Sequence, residues 1–179
     1  MAAQQETRQQ EPGQETGQQE IPQQGTPLCL TPIGRVVRDA GTTGVRIDPP
    51  YRAGLRELGG FSHVLVLWWA GRYDDEDHRR TVVVPLPYAE DREAGVFACR
   101  SPARPNPVMT TVCAVESVDE ETGVVRLGAL DAFDDTPVVD LKPYYGVTDR
   151  VRSPRIPDYL VGWPEWFPEE GIGLMPDES

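Results

Sequence analysis

Short β-rich runs, each ended by glycine, proline or aspartate before it reaches the length of a helix, leave this chain few ways to fold. "CLTPIGRVVR" (29–38) has strand character and stops at the turn-rich "DAGTTG". "FSHVLVLWWA" (61–70) is apolar throughout, which predicts a central strand covered on both faces. "TVVVPL" (81–86) is interrupted by Pro85 and so belongs near an edge, while "GVFAC" (95–99) reads as a short strand. "VMTTVCAVESV" (108–118), the turn "DEETG" and "VVRLGAL" (124–130) form a hairpin pattern, and "TPVVDLKPY" (136–144) adds one more strand. Only "PPYRAGLRELGG" (49–60) suits a turn or two of helix. "GRYDDEDHRR" (71–80) is too charged for anything but a solvated loop. About seven strands with almost no helix predict a mainly β fold: a small closed or nearly closed barrel, without a Rossmann domain.

Two segments flank that barrel. Residues 1–27 hold nine glutamines and three copies of "QQE" with Ile21 as the sole large aliphatic side chain, a composition that predicts a disordered Gln/Glu-rich tail. The tail has no basic start followed by an apolar run, so no secretory signal is expected. Residues 28–144 are the expected barrel domain. Residues 145–179, rich in proline and tryptophan, are expected to pack on it as an irregular extension.

Composition narrows the function. The net charge is −12, of which the tail carries −3, so the folded part keeps −9. Nucleic-acid binders usually show a basic face, so the balance weighs against RNA while leaving room for a local arginine patch. Three cysteines without CxxC spacing and two histidines predict neither disulfides nor a metal site, and a reducing cytoplasm fits them best. No apolar run approaches the ~20 residues that span a bilayer, so no membrane association is expected. Neither GxGxxG after a strand nor GxxxxGK[ST] is present. His78 falls in the charged loop and should be solvated, His63 is expected to be structural, and Ser62–His63 should point to opposite faces of a strand.

Two clusters remain. "ACRSPARPNPVM" (98–109) sets Arg100 and Arg104 among Pro102, Pro105 and Pro107, which forbid helix and central strand alike. Such a stiff loop can present guanidinium forks, which suit carboxylates and phosphates. Asp131, Asp134, Asp135 and Asp140 gather around the final strands, where they serve either turn chemistry or an anionic site for a cation or ribose hydroxyls.

These residues also carry a family likeness. "PIGRV", "LGGFSHVLVLWW", "GVFACRSPARPNPV" and "DTPVVDLKPY", in this order between about Pro32 and Tyr144, resemble the TsaA-like family. The resemblance implies a β-barrel methyltransferase using S-adenosyl-L-methionine near the interface of a homodimer. Its family substrate is N6 of threonylcarbamoyladenosine in tRNA, beside the anticodon. A small-metabolite acceptor and a non-catalytic S-adenosylmethionine-binding module are the alternatives. Carried over residue by residue, cofactor contacts fall on Arg100 and Thr110, on Asp131, Ala132, Phe133 and Asp134, on Gly71 and Arg72, and on Arg46. Asp140, Lys142 and Tyr144 of "DLKPY" are the polar residues expected nearest the acceptor and so the candidate catalytic groups. Three departures from the family pattern stand out: Met109 and Asp135 replace glycines, and Gly71–Arg72 replaces a histidine–glutamine pair. Met109 is expected to add bulk, and Asp135 charge, beside the pocket.

Overall fold

The computed structural model describes residues 28–39 and 41–173, so the predicted tail lies outside the described residues. Eight strands form: β1 (Gly34–Asp39), β2 (Thr42–Ile47), β3 (His63–Trp69), β4 (Val83–Pro85), β5 (Glu93–Gly95), β6 (Val108–Asp119), β7 (Val124–Leu127) and β8 (Pro137–Pro143). Six of them close into a barrel in the order β1-β2-β7-β6-β3-β8, with all strand pairs antiparallel among the described residues, while β4 and β5 pair as a separate ribbon. The mainly β barrel read from the sequence is what the chain forms.

Period-two alternation builds it. On β3, Val64, Val66 and Trp68 point inward and are buried, as are Val36, Val45, Ile47, Cys113, Val125, Leu127 and Val138 from the other strands. Side chains therefore fill the interior, as in other small barrels, and any ligand must bind outside it. The one buried polar side chain among the described residues is Thr111, whose hydroxyl accepts the Trp68 indole N–H at 3.1 Å. Burial pushes the Cys113 thiol up to about 12, so it stays protonated and serves as a small apolar filler. Where β1 begins its pairing with β2, a Cβ on Gly34 would lie 2.2 Å from the Arg46 carbonyl oxygen, so only glycine permits this approach. The β6–β7 turn is tied by Asp119, whose carboxylate accepts the amides of Glu121 and Thr122 at 3.0 and 3.1 Å.

Several local expectations are corrected. Residues 42–44 were expected to be turn; they open β2, because pairing with β1 carries Val45 and Ile47 into the core. The first strand begins at Gly34 rather than residue 29, and Pro32, lacking an amide proton, precedes it. The strand expected at 95–99 ends at Gly95, where the Ala98 amide bonds back to the Gly95 carbonyl. β3 is not covered on both faces, since Leu65, Leu67 and Trp69 are only half-buried on the outside of the barrel. Residues 71–80 are not a plain loop: Gly71–Tyr73 is a 3-10 turn and α1 (Glu76–Arg80) is a short helix. Asp75 caps α1 through the amides of Asp77 and His78.

After β8 come the short helix α2 (Gly146–Asp149) and irregular chain. This segment meets the rest of the molecule at separate points. Asp158 forms a two-pronged ion pair with Arg92 at 3.0 and 3.1 Å. Trp163 meets Tyr88 edge-on at 5.1 Å, and Phe167 meets His63 at 6.0 Å.

Candidate cofactor and acceptor site

The proline-rich loop is folded around one of its two arginines. Arg104 donates from Nε to the Ser101 carbonyl at 2.7 Å and from Nη2 to the carbonyls of Cys99 (2.7 Å) and Val96 (2.5 Å). The loop is fastened to the end of β3 by the Ala70 amide, which bonds the carbonyl of the buried Pro107 at 2.9 Å. Arg104 is thus a clasp and not a ligand-binding fork. Arg100, four residues earlier, is exposed and makes no hydrogen bond or ion pair among the described residues.

The aspartate-rich turn between β7 and β8 is held by Arg38, which sequence reasoning missed. Its guanidinium donates to the carbonyls of Leu130 (2.5 Å) and Ala132 (3.0 Å), and its backbone amide donates to Asp134 Oδ1 at 2.9 Å. Nothing in the sequence separates Arg38 from any other arginine at a strand end. Ala132 is 1% exposed and its carbonyl is taken by Arg38, so it shapes the turn from beneath. Asp134 is exposed and Asp131 half-buried. Arg72 reaches this turn from the far end of β3, with its guanidinium 3.5 Å from the centre of the Phe133 ring. Gly71, Arg72, Phe133 and Asp134 therefore form one cluster at one end of the barrel.

A second group lies on the outer wall. Leu67 is in register with Thr110 on one side and Asp140 on the other, and Leu65 with Val112 and Lys142. Residues paired across strands share a face, so Thr110, Asp140 and Lys142 flank the half-buried Leu65 and Leu67. Lys142 Nζ lies 2.7 Å from Asp140 Oδ2. The hydrogen bond that Lys142 donates to Asp140, followed by the charge of that carboxylate, holds the Lys142 ammonium above its ordinary range, so Lys142 is a cation here and not a base. Tyr144 stands apart: its amide bonds the His63 carbonyl at the start of β3, opposite the end that carries Arg72. Asp140 also borders a groove of about 700 Å³ that contains Tyr51, Phe61, Leu141 and Tyr145.

Arg46 is opposite Arg35 on β1–β2 and borders a shallow hollow of about 300 Å³ with Asp48, Asp134 and Asp135. Asp134 links this hollow to the Phe133 cluster.

Of the departures from the family pattern, Met109 differs from expectation, whereas Asp135 does set a charge beside the Arg46 hollow. Met109 pairs with Trp68, faces inward and packs on the core, so it adds no bulk to an outer site. Asp135 adopts φ +62°, the left-handed region that explains a glycine at this place, and its charge faces Arg35 at 3.4 Å. Ser62 precedes β3 instead of lying within it, so its hydroxyl reaches His63 Nδ1 at 3.0 Å and does not point to the opposite face. His78 is bonded to Asp75 at 2.5 Å rather than free in solvent. Among the described residues no cluster of ligating side chains suits a metal ion, and no helix is long and apolar enough to cross a membrane.

Comparison with known proteins places this geometry. A probable S-adenosyl-L-methionine-binding protein of Archaeoglobus fulgidus is 38% identical over 122 residues, covering 68% of this chain and 30% of its own length. The tRNA (adenine(37)-N6)-methyltransferase of Escherichia coli is 38% identical over 92 residues, covering 50% of this chain and 39% of the enzyme. The chain thus spans well under half of either relative. A crystal structure of TrmO matches with a TM-score of 0.57 at 26% identity, over 73% of this chain and 64% of that one. The family model for the tRNA-methyltransferase O N-terminal domain matches residues 17–150. With the barrel, the Arg104-clasped loop and the Arg38-held turn all inside that span, the chain belongs to the tRNA-methyltransferase O N-terminal domain family.

Proposed function

We propose that this chain binds S-adenosyl-L-methionine at the outer end of the barrel and methylates a nitrogen in RNA, with N6 of threonylcarbamoyladenosine in tRNA as the acceptor. The observation that carries the reading is the Arg72–Phe133–Asp134 cluster beside a loop that leaves Arg100 unpaired. The donor set fits the group. An unpaired guanidinium suits its carboxylate, while Asp131 and Asp134 suit its ammonium and ribose hydroxyls. Arg46, Gly71 and Thr110 complete the assigned contacts, Ala132 by supporting the turn. When bound, the cofactor supplies a methyl group already activated on a sulfonium.

The protein's work is then alignment, which supplies roughly 7–11 kcal/mol of barrier reduction in well-oriented reactions. Asp140 accepts hydrogen bonds from Lys142 and from the Leu141 amide, so it is a fixed carboxylate on the outer wall. There it can orient an acceptor amine and receive the proton that nitrogen loses on methylation. Lys142 holds that carboxylate in place through the 2.7 Å ion pair, and Tyr144 lines the approach from the opposite end of β3. The homodimer is part of this proposal, as the outer face of β3 and β6 is only half-covered by the chain itself.

The test is incubation of the purified chain with labelled donor and tRNA from cells lacking the modification. Formation of S-adenosylhomocysteine together with methylated tRNA is expected. Cofactor binding by calorimetry without turnover on tRNA or on a metabolite extract would instead favour a binding module. That second reading draws support from the ion pairing of Asp140, and from relatives named only for S-adenosylmethionine binding.

A further inference from the structure

Residues 150–157, "RVRSPRIP", differ electrostatically from the rest of this acidic molecule. Arg150, Arg152 and Arg155 are exposed, and none makes a hydrogen bond or ion pair among the described residues. No carboxylate lies within the segment, and those at its borders are engaged. Asp149 accepts the Tyr145 amide at 2.7 Å, and Asp158 is locked to Arg92, whose hydrogen bonds hold its carboxyl below the ordinary range. The segment is flanked on one side by α2, which follows the edge-on Phe61–Tyr145 ring contact at 5.3 Å, and on the other by the Arg92–Asp158 pair, and its own backbone amides donate no hydrogen bond from 150 to 156. Pro154 and Pro157 favour extended backbone. The result is a strap stretched between two fixed points with three unshared guanidinium groups. Downstream, Trp163 and Trp166 are 54% and 66% exposed, although burying an indole is ordinarily favourable.

We propose that this strap is an RNA-backbone contact surface, in which Arg150, Arg152 and Arg155 engage successive phosphates while the exposed indoles meet unstacked bases. Charge complementarity selects a polyanion. A chain of net charge −12 does not leave three neighbouring guanidinium groups unpaired where its own carboxylates could reach them without forgoing electrostatic energy. The exposed indoles favour RNA over an acidic protein, because aromatic faces stack on bases. The proposal deepens the reading above that the acceptor is RNA and rests on it. It assigns substrate capture to a segment separate from the cofactor loop.

The test uses the full chain with fluorescently labelled bulk tRNA, titrated by anisotropy from 50 to 300 mM KCl. The variants are a triple Arg150→Ala/Arg152→Ala/Arg155→Ala and a triple Arg→Lys at the same positions. The alanine variant should lose about tenfold or more in affinity, and its slope of log affinity against log salt should flatten by about two to three. The lysine variant should keep the slope. Calorimetry with S-adenosylmethionine, run on all three proteins, should show no change. Unchanged tRNA affinity and slope in the alanine variant would overturn the strap alone and leave the RNA acceptor standing. Absence of tRNA binding by the unsubstituted chain would overturn both. Loss of S-adenosylmethionine binding by every protein, with strap-dependent tRNA binding intact, would remove the methyl-transfer reading and leave the strap. Competition by poly-glutamate as strong as by unlabelled tRNA would mean an acidic protein partner and overturn the RNA assignment.

Discussion

Arg100 and Arg104 have the same chemistry, four residues apart on one loop, and the structure assigns them opposite consequences. Arg104 donates to three loop carbonyls from a half-buried position, and the Val96 carbonyl among them belongs to a residue only 1% exposed. A hydrogen bond from a charged donor contributes about 1.5–3 kcal/mol, and the three share one guanidinium, so their contributions do not add. Water can also reach part of the loop once the side chain is gone. Arg104→Ala should therefore cost about 2–3 kcal/mol. At about 2–4 °C per kcal/mol for a domain of ~150–250 residues, the thermal midpoint should fall by about 4–12 °C. Arg100→Ala removes an exposed side chain without partners and should stay within about ±0.5 kcal/mol. The order reverses for ligand binding: Arg100→Ala should weaken S-adenosylmethionine binding about tenfold to a hundredfold through loss of one charge-assisted contact. Differential scanning calorimetry of the apo proteins and isothermal titration of the cofactor read the two effects separately. The reasoning is refuted if Arg104→Ala melts like the parent, or if Arg100→Ala melts early and binds normally.

Other consequences are as direct. Thr111→Val keeps the shape of the core but strands the Trp68 indole N–H, so urea unfolding should show a loss of about 1–3 kcal/mol with an unchanged m-value. Gly34→Ala drives a Cβ against the Arg46 carbonyl and should cost about 1–3 kcal/mol or more, whereas Gly54→Ala, with nothing within 4 Å, should be tolerated; equal midpoints for the two would contradict the close approach of β1 to β2 at Gly34. The amide of Thr122, followed by the other bonds in its turn, holds the Asp119 carboxyl below its ordinary 3.8. A depressed folded-state value means that this contribution is present above about pH 4 and is lost as pH falls through the lower value. Asp119→Asn should flatten the pH dependence of stability in that acid window, and an unaltered profile would show that the carboxylate is not engaged.

Much of this molecule was legible before any coordinates. β3, β6 and β8 were recognisable because β-branched and apolar runs of strand length, ended by turn residues, have few other outcomes. "TTGVRI" was not recognisable as β2, since its glycine and threonines carry weak local preference and only pairing with β1 and β7 puts Val45 and Ile47 into the core. At the candidate site the sequence singled out segments but not the division of labour within them. Arginine has the same five donors wherever it occurs, so local sequence could not say that Arg104 and Arg38 would spend theirs on backbone carbonyls while Arg100 stayed free. Met109 and Asp135 followed the same logic. Strand register turned one into the core, and a left-handed turn aimed the other at Arg35. The residue types and their order determined a β-barrel with a stiff, charged rim. Which of those charges remains available to a ligand was decided by barrel closure, because closure brings carbonyls distant in sequence within reach of particular guanidinium groups and leaves others with solvent alone.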